Sequence, residues 1–288
     1  SGAQHSFTIR PVSDTVKHQI LPLTLQTSFN SFAPMGYNDG VMVPARGLQT
    51  LFTGGVFYRY KALSIQLKPE FLWAANTDFS TFSLSQPDQA RQAMVYYLST
   101  SDIPERLGTD PISKLYAGQS AIRLSSPSVS FGISTENIWW GPGRRNALIM
   151  TNNAPGFLHA DIKTAKPVKT IFGSIEMQAV FGKLDSSGIE PVENVRQQQY
   201  WPGAYVPKEN IRRQMLGFVF SWQPRWVKNL HIGYAAAYYG YVTYENKNGD
   251  PIPQYPYSMT IAKGKGARLG SLFFRYSMPK DRAEVYGV

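Results

Sequence analysis

The amino-acid sequence predicts an all-β protein, a transmembrane antiparallel β-barrel with a short helical plug or cap. Aromatic residues make up 14% of the 288 residues, with 17 Tyr and 16 Phe. Charged residues make up only 17%, below the share of about a quarter that is usual for soluble domains. Long apolar–polar alternations run through most of the chain. Together these features are typical of a wall that faces lipid, with aromatic girdles at both lipid–water boundaries.

The alternation is clearest over residues 63–71. One face of this ribbon is apolar, and its members are Leu63, Ile65, Leu67 and Phe71. The other face is polar, and its members are Ser64, Gln66, Lys68 and Glu70. Residues 157–163 alternate in the same way, whereas the second face of residues 229–239 carries small side chains. Because side chains alternate across a strand, these patterns predict strands with one polar or small face.

The remaining apolar runs bring the total to about ten to twelve strands. They are predicted at residues 21–30, 48–60, 119–124, 128–135, 146–151, 168–184, 213–222 and 266–278. Several runs reach the ~9–11 residues that a strand needs to cross a membrane. A soluble β-sandwich or lipocalin-like barrel is the alternative that periodicity leaves open, and the tyrosine excess favours the membrane barrel.

Residues 85–117 are predicted to form a helical insertion within a single domain of residues 1–288. The main helix spans residues 85–98, with Ser85 as its cap and Asp88 in the first turn. A short helical turn is predicted at residues 102–107, and residues 111–117 are a weaker helical candidate. The insertion is expected to cap or plug one barrel mouth, with an inward face of Met94, Tyr97 and Leu98.

Composition and motifs exclude several kinds of function. The chain has no cysteine, which rules out disulfides, thiol catalysis and thiolate metal sites. It contains neither a nucleophile elbow nor a zinc-protease motif, and we interpret the pair His159 and Asp161 as packing inside the barrel. We therefore expect no enzyme activity, no metal and no cofactor. The net charge of +10 favours acidic partners, but the basic residues are scattered singly, so no nucleic acid is expected as a partner.

The most unusual segment is residues 136–157, where Trp139 and Trp140 precede a Gly-Pro-Gly corner. Adjacent side chains in an extended segment point to opposite faces, so one ring can pack while the other contacts a ligand. Arginines and asparagines nearby can hold carboxylates and hydroxyls. The candidate ligand-binding residues are Trp139, Trp140, Arg144, Arg145, Asn152, Asn153, Trp201, Arg212 and Arg213. The alternative is that these aromatics form an interfacial girdle and the arginines bind lipid head groups.

The strings at residues 137–143 and 146–157 resemble the Wzi family of capsule-assembly proteins. Residues 172–184 and the early residues 45–47 with 54–55 agree with this resemblance. The resemblance implies an outer-membrane barrel of eighteen strands with a small helical element toward the periplasm. It also implies a lectin-like role and no known catalytic residues. Since family members are longer, the chain is expected to be a partial barrel, incomplete at the C-terminus.

The expected function is therefore that of a lectin-like protein in the outer membrane of a Gram-negative bacterium. It would bind capsular or surface polysaccharide and help to assemble or retain it at the cell surface. The expected partners are acidic polysaccharide, outer-membrane lipid and lipopolysaccharide, and other outer-membrane export proteins. Two alternatives stay open: a diffusion channel of the porin type, and an accessory barrel subunit of a larger export or motility complex.

Overall fold

The protein is described as a computed structural model. It covers residues 17–32, 34–79, 82, 85–101, 106–144, 147–189, 203, 212–241, 243–245, 251–253 and 266–288. These residues form one helix, α1 (Asp88–Ser101), and sixteen strands. The strands are β1 (Lys17–Asn30), β2 (Gly47–Tyr60), β3 (Leu63–Leu67), β4 (Glu70–Ala74), β5 (Ile112–Tyr116), β6 (Ala121–Ser125), β7 (Val129–Ser134), β8 (His159–Thr164), β9 (Val168–Thr170), β10 (Gly173–Leu184), β11 (Arg213–Pro224), β12 (Leu230–Tyr241), β13 (Thr243–Glu245), β14 (Pro251–Pro253), β15 (Gly266–Met278) and β16 (Ala283–Gly287).

The strands form an antiparallel meander, which confirms the predicted all-β class. Strand β2 pairs with β1 on one side and with both β3 and β4 on the other. Strands β6 and β5 continue the sheet beside β3 and β4. The order then runs through β7, β8, β10, β11, β12 and β15 to β16. Among the described residues, β1 pairs only with β2 and β16 only with β15, and β1 and β16 do not pair with each other.

The strand count exceeds the predicted ten to twelve partly because long ribbons are interrupted. The predicted ribbon 63–71 breaks at Pro69, which has no N–H for the ladder, into β3 and β4. The predicted strand 168–184 is wrong as a single element, because the chain turns at residues 171–172. Gly173 makes this turn possible: its φ is +136°, and a Cβ there would lie 2.0 Å from the Gln223 carbonyl oxygen.

Two other predicted elements are also wrong. The predicted strand 146–151 does not form over its described residues 147–151: Ile149 and Met150 pack against the Trp140 cluster, Leu148 is exposed, and the Trp140 N–H donates to the Met150 carbonyl at 3.3 Å. The weak helical candidate 111–117 is strand β5, which pairs with β4. Of the predicted turn 102–107, residues 102–105 lie outside the described residues, and Arg106 is not helical.

Connections at the two ends of the sheet differ in length. One end, called the short-turn end, carries the turns 61–62, 126–128, 171–172, 225–229 and 279–282. The other end, called the long-connection end, carries the connections 31–46, 75–111, 135–158, 185–212 and 242–265. This asymmetry is typical of outer-membrane barrels, in which short turns face the periplasm and long loops face outward.

Helix α1 lies in the connection 75–111, at the long-connection end. Val95 and Leu98 are buried, but Tyr97 is 55% exposed, so its predicted inward packing is wrong. The base of this connection is closed by Asn76, whose Nδ2 donates to the carbonyls of Leu107 and Asp110 at 2.7 and 3.0 Å. Loop length alone would place α1 on the outer side, whereas the resemblance implies a helical element toward the periplasm.

The ribbon 63–71 and strand β8 direct polar side chains inward and apolar side chains outward. In the ribbon 63–71, Leu67 and Phe71 are exposed, whereas Glu70 is 8% exposed on the inner face. In β8, Ile162 is exposed, whereas His159 and Asp161 are 2% and 1% exposed. This polarity is the reverse of that in a soluble protein, whose apolar side chains are buried. It confirms the predicted alternation, and it suits a wall with lipid outside. No helix among the described residues is long and apolar enough to span a membrane.

The connection 135–158, called the plug, folds against the inner face of the sheet. Its Ile138 and Trp140 form one buried cluster with inner-face residues of three strands, namely Val180, Met215, Ala235 and Ala237. The small inner face that the sequence shows over residues 229–239 therefore makes room for the plug. A second connection, 31–46, also folds against the inner face. Its Val41 and Ala45 pack on the inner-face residues Leu51, Leu72 and Ala74.

Gly217→Ala is expected to destabilise the protein by about 1–3 kcal/mol, because it overpacks the plug. A Cβ at Gly217 would lie 2.6 Å from Cη2 of the Trp140 ring. Denaturant unfolding of the protein in detergent measures the loss as a lower midpoint. Gly36→Ala is the matched control, since a Cβ there would meet its nearest atom at 3.6 Å. Equal midpoints for the two variants would contradict this packing.

Candidate functional site

A cavity of about 400 Å³ lies on the inner face, between the plug and the short-turn end. Its lining comes from seven strands, β1, β2, β3, β6, β7, β8 and β10, and from plug residues 136–139. Because one cavity collects side chains from all these strands, the sheet curves around it. Its volume falls within the ~300–1,000 Å³ typical of small-ligand sites.

The charged side chains that line the cavity are mostly cationic. Four basic side chains line it: Arg59, Arg123, Lys163 and Lys166. Glu136 is the carboxylate among the described lining residues. Arg59, Arg123 and Lys163 reach the cavity because they occupy inward positions of β2, β6 and β8, where alternation turns polar side chains away from lipid.

An ion-pair network holds the centre of the lining. Arg123 donates from Nη1 to both carboxylate oxygens of Asp161 at 2.6 and 2.8 Å, and from Nη2 to Glu136 at 2.7 Å. Gly132 leaves the space that this guanidinium needs, since a Cβ there would lie 2.7 Å from Nη1. His159 is anchored separately, with Nδ1 at 2.7 Å from the Phe157 carbonyl oxygen. Arg123 therefore supports the wall and the plug at once.

Plug residues 136–139 form the roof of the cavity, and hydrogen bonds fix them to the wall. Gln119 and Asn137 bond reciprocally: the Asn137 N–H donates to Gln119 Oε1 at 3.0 Å, and Gln119 Nε2 donates to Asn137 Oδ1 at 2.8 Å. Gln66 Nε2 donates to Glu136 at 3.2 Å. Such reciprocal bonding to backbone and side chain gives the roof one defined position.

The two adjacent tryptophans have different environments, as the alternation predicts. Trp140 is 3% exposed and donates from Nε1 to Gln178 at 3.1 Å. Trp139 is only partly buried, lines the cavity and donates from Nε1 to the Gly143 carbonyl at 2.9 Å. One ring therefore anchors the plug, and the other lines the cavity.

The asparagine pair of the sequence motif joins two loops. Asn152 Nδ2 donates to the Asn38 carbonyl at 3.1 Å, and the Asn153 side-chain oxygen accepts from the Asn38 N–H at 3.2 Å. The Gly40 N–H also donates to the Asn152 carbonyl at 2.7 Å. These contacts clasp the plug to the connection 31–46, and neither asparagine lines the cavity.

The predicted arginines lie elsewhere on the molecule. Arg144 is largely exposed and lies 3.4 Å from Glu284 of β16. Arg212 donates to Asp185 at 2.5 Å in the connection 185–212, and Arg213 begins strand β11. Arg145 and Trp201 lie outside the described residues. Of the predicted set, the structure brings Trp139 to the cavity.

The four cavity cations were not singled out as site residues from the sequence. The signal that points to them is the inner face of the alternating strands, on which Arg59, Arg123 and Lys163 lie. Lys166 lies between β8 and β9, outside any alternating strand, so no sequence pattern points to it. Within the described part of the chain, no three His, Asp or Glu side chains form a group that could hold a metal ion.

A model of the family "Capsule assembly protein Wzi" matches residues 52–287. This chain belongs to the Wzi family. The match contains the plug, the roof and all four cavity cations, and it confirms the sequence resemblance. Neither the curated proteins nor the solved structures with which the chain was compared gave a match.

Wzi-family proteins act in capsule assembly at the outer membrane. The antiparallel meander with its inverted polarity agrees with the outer-membrane β-barrel predicted for the chain. In an outer-membrane protein, the exposed apolar face of the sheet is the one that contacts lipid. The cavity lies on the opposite, inner face.

Proposed function

We propose that this Wzi-family protein is a lectin-like protein that binds acidic capsular polysaccharide in its cationic cavity. One observation carries the proposal: four basic side chains and Trp139 line the same cavity, whose carboxylates are Glu136 in the lining and Asp161 behind Arg123. Acidic sugars carry carboxylates that guanidinium and ammonium groups bind by charge-assisted hydrogen bonds. The apolar surface of Trp139 suits the flat face of a sugar ring.

The capture is reversible and non-catalytic. The positive lining attracts the acidic chain, Lys163 and Arg59 bind its carboxylates, and Trp139 orients a ring beside them. Arg123 already bonds Asp161 and Glu136, so it positions the roof. The plug occupies the inner face of the sheet, which favours capture over the free diffusion of a porin.

Replacing both Lys163 and Lys166 with Gln is expected to weaken binding of acidic polysaccharide by at least roughly 10-fold, and by up to roughly 900-fold. Lys163 is half-buried, where a hydrogen bond to a charged group contributes about 1.5–3 kcal/mol. Lys166 is exposed and adds at most about 1 kcal/mol. Equilibrium binding of capsular polysaccharide to the purified full chain in detergent, at low and high salt, measures both the affinity and its salt dependence.

The matched control replaces Lys169 and Lys228 with Gln, which removes the same net charge from exposed positions outside the lining. This control is expected to bind acidic polysaccharide as tightly as the unmodified protein does. Neutral dextran is expected to bind neither the unmodified protein nor either double variant. Equal losses in the two double variants would mean that overall charge, and not the cavity, attracts the glycan.

A further inference from the structure

We infer that a patch on the outer side of the sheet, at the short-turn end, binds the head group of an anionic phospholipid. The patch, called the turn patch, consists of Phe172, Trp222, Arg225, Trp226 and Lys228. It shares no residue with the cavity lining, so the inference does not depend on the proposed function.

The tryptophans of the turn patch lie where the outer face of the sheet ends. Trp222 is an odd number of positions from the inward Met215 of β11, so alternation directs it outward. Trp226 follows in the turn 225–229 and is 65% exposed. The two ring centroids are 5.8 Å apart, and the rings meet edge to face at 73°. Exposed tryptophans at strand ends are typical of the level at which acyl chains meet head groups.

One backbone carbonyl holds the turn patch together. The Phe172 carbonyl oxygen accepts from the Arg225 N–H at 3.1 Å and from Trp222 Nε1 at 3.3 Å. The turns 171–172 and 225–229 are therefore fixed side by side, with the Phe172 side chain exposed. This bonding gives Arg225 a defined backbone position next to the rings.

The short turns at this end carry mainly positive charge. Asp281 is the carboxylate among their residues. The basic side chains of these turns are all exposed, and they are Lys61, Arg225, Lys228, Lys280 and Arg282. Within the part of the chain that the structure describes, Arg225 and Lys228 form no ion pair and no side-chain hydrogen bond. Both can therefore bind a phosphate without breaking an existing contact.

This combination of rings and cations selects an anionic phospholipid. A head group at the level of the tryptophans presents its phosphate to the cations, and each Lys or Arg near an anionic lipid surface strengthens binding about five-fold. The acyl chains of the same lipid then lie along the outer face, where Ile232 and Phe274 are exposed beside Trp222. Short turns of outer-membrane barrels face the periplasm. The leaflet on that side consists of phospholipid and not of lipopolysaccharide.

Retention of lipid by the purified protein tests the inference. The full chain is reconstituted into vesicles of equal parts phosphatidylglycerol and phosphatidylcholine and extracted in a non-ionic detergent, and the retained lipids are counted by mass spectrometry. The unmodified protein is expected to retain phosphatidylglycerol over phosphatidylcholine by at least about five-fold. Replacing both Arg225 and Lys228 with Gln is expected to bring this ratio below about two. Equal retention of the two lipids by the unmodified protein would overturn the inference.

The matched control replaces Lys183 and Arg268 with Gln. These residues are also one lysine and one arginine, and both are exposed, but they lie at the long-connection end of β10 and β15. Each is an odd number of positions from an inward residue of its strand, Val180 and Ser271, so both are on the outer face. The control is expected to retain phosphatidylglycerol as the unmodified protein does. Equal losses in the two double variants would mean that overall charge, and not the turn patch, attracts the lipid.

Tryptophan fluorescence tests whether the bound lipid lies at the turn patch. Lipid with brominated acyl chains quenches nearby tryptophans, and brominated phosphatidylglycerol is expected to quench more than brominated phosphatidylcholine. This excess is expected to disappear when Trp222 and Trp226 are both replaced with Phe, and to persist in Trp73→Phe. Trp73 is the control because it is outward and lies at the long-connection end of β4. An excess that persists without Trp222 and Trp226 would overturn the inference.

Single thiols identify the leaflet, since the chain has no cysteine. Val227→Cys places a thiol in the turn 225–229, and Met35→Cys places one in the connection 31–46. A membrane-impermeant maleimide on intact cells is expected to label Met35→Cys, and to label Val227→Cys only after the outer membrane is permeabilised. Labelling of Val227→Cys in intact cells would place the turn patch beside lipopolysaccharide and overturn the assignment to a phospholipid. A failure of polysaccharide binding would leave all of these results unchanged.

Discussion

Asp161→Ala is expected to lower the free energy of unfolding by about 3–5 kcal/mol, the cost of leaving a buried charge without its partner. Asp161 is 1% exposed and accepts both hydrogen bonds of one Arg123 nitrogen. Without it, the guanidinium keeps Glu136 but loses the contact that fixes its position over Gly132. The roof above the cavity is expected to loosen, because Glu136 belongs to it.

Denaturant unfolding of the purified protein in detergent measures this loss. The double variant Asp161→Ala with Arg123→Met removes both charges and is expected to be less destabilised than the sum of the two single variants. A surface pair provides the control: Arg212 and Asp185 are both exposed, and Asp185→Ala is expected to cost at most about 1 kcal/mol. Equal costs for Asp161→Ala and Asp185→Ala would mean that the inner pair is solvated.

Trp140→Ala is expected to destabilise the protein by about 3–5 kcal/mol, the range for truncating a buried tryptophan. Its ring packs over Gly217, and its Nε1 donates a hydrogen bond to the Gln178 side-chain oxygen. The loss leaves a void at the centre of the plug cluster and an unpaired acceptor in β10. Trp140→Phe keeps most of the apolar contact and is expected to cost less.

Trp139→Ala is the informative neighbour. The sequence left open which of the two adjacent rings packs, and the structure shows that Trp140 does. Trp139→Ala is now expected to reduce glycan affinity more than stability, since its ring is partly exposed in the cavity lining. Measuring the unfolding midpoint and the binding affinity of both variants separates the two roles, and an identical pattern would contradict this division.

Much of the fold was predictable because the alternation of side chains is a local property. The strand predicted at residues 266–278 coincides with β15, and the inward set of residues 157–163 is buried as expected. Errors arose where the chain turns or bends within an apolar run. Pro69 interrupts one ribbon and Gly173 follows the turn of another, and residues 147–151 are apolar because they belong to the plug.

The candidate site was less predictable. Residues that are conspicuous in sequence proved to have structural contacts: Asn152 and Asn153 clasp a loop, and Trp140 packs. The cavity cations are single basic residues within ordinary strands, so no local motif marks them. Their significance comes from the register that places Arg123 opposite Gly132, and Gly132 opposite Asp161.

By itself, the sequence determined that this protein is a β-rich, cysteine-free, cationic chain whose strands present apolar side chains outward, and that it resembles the Wzi family. These properties depend on composition and on residues two positions apart. Only the tertiary structure decided which tryptophan anchors the plug and which cations share one cavity. Arg123 and Asp161 are 38 residues apart in the chain, and they meet only because strand pairing and curvature bring three strands together.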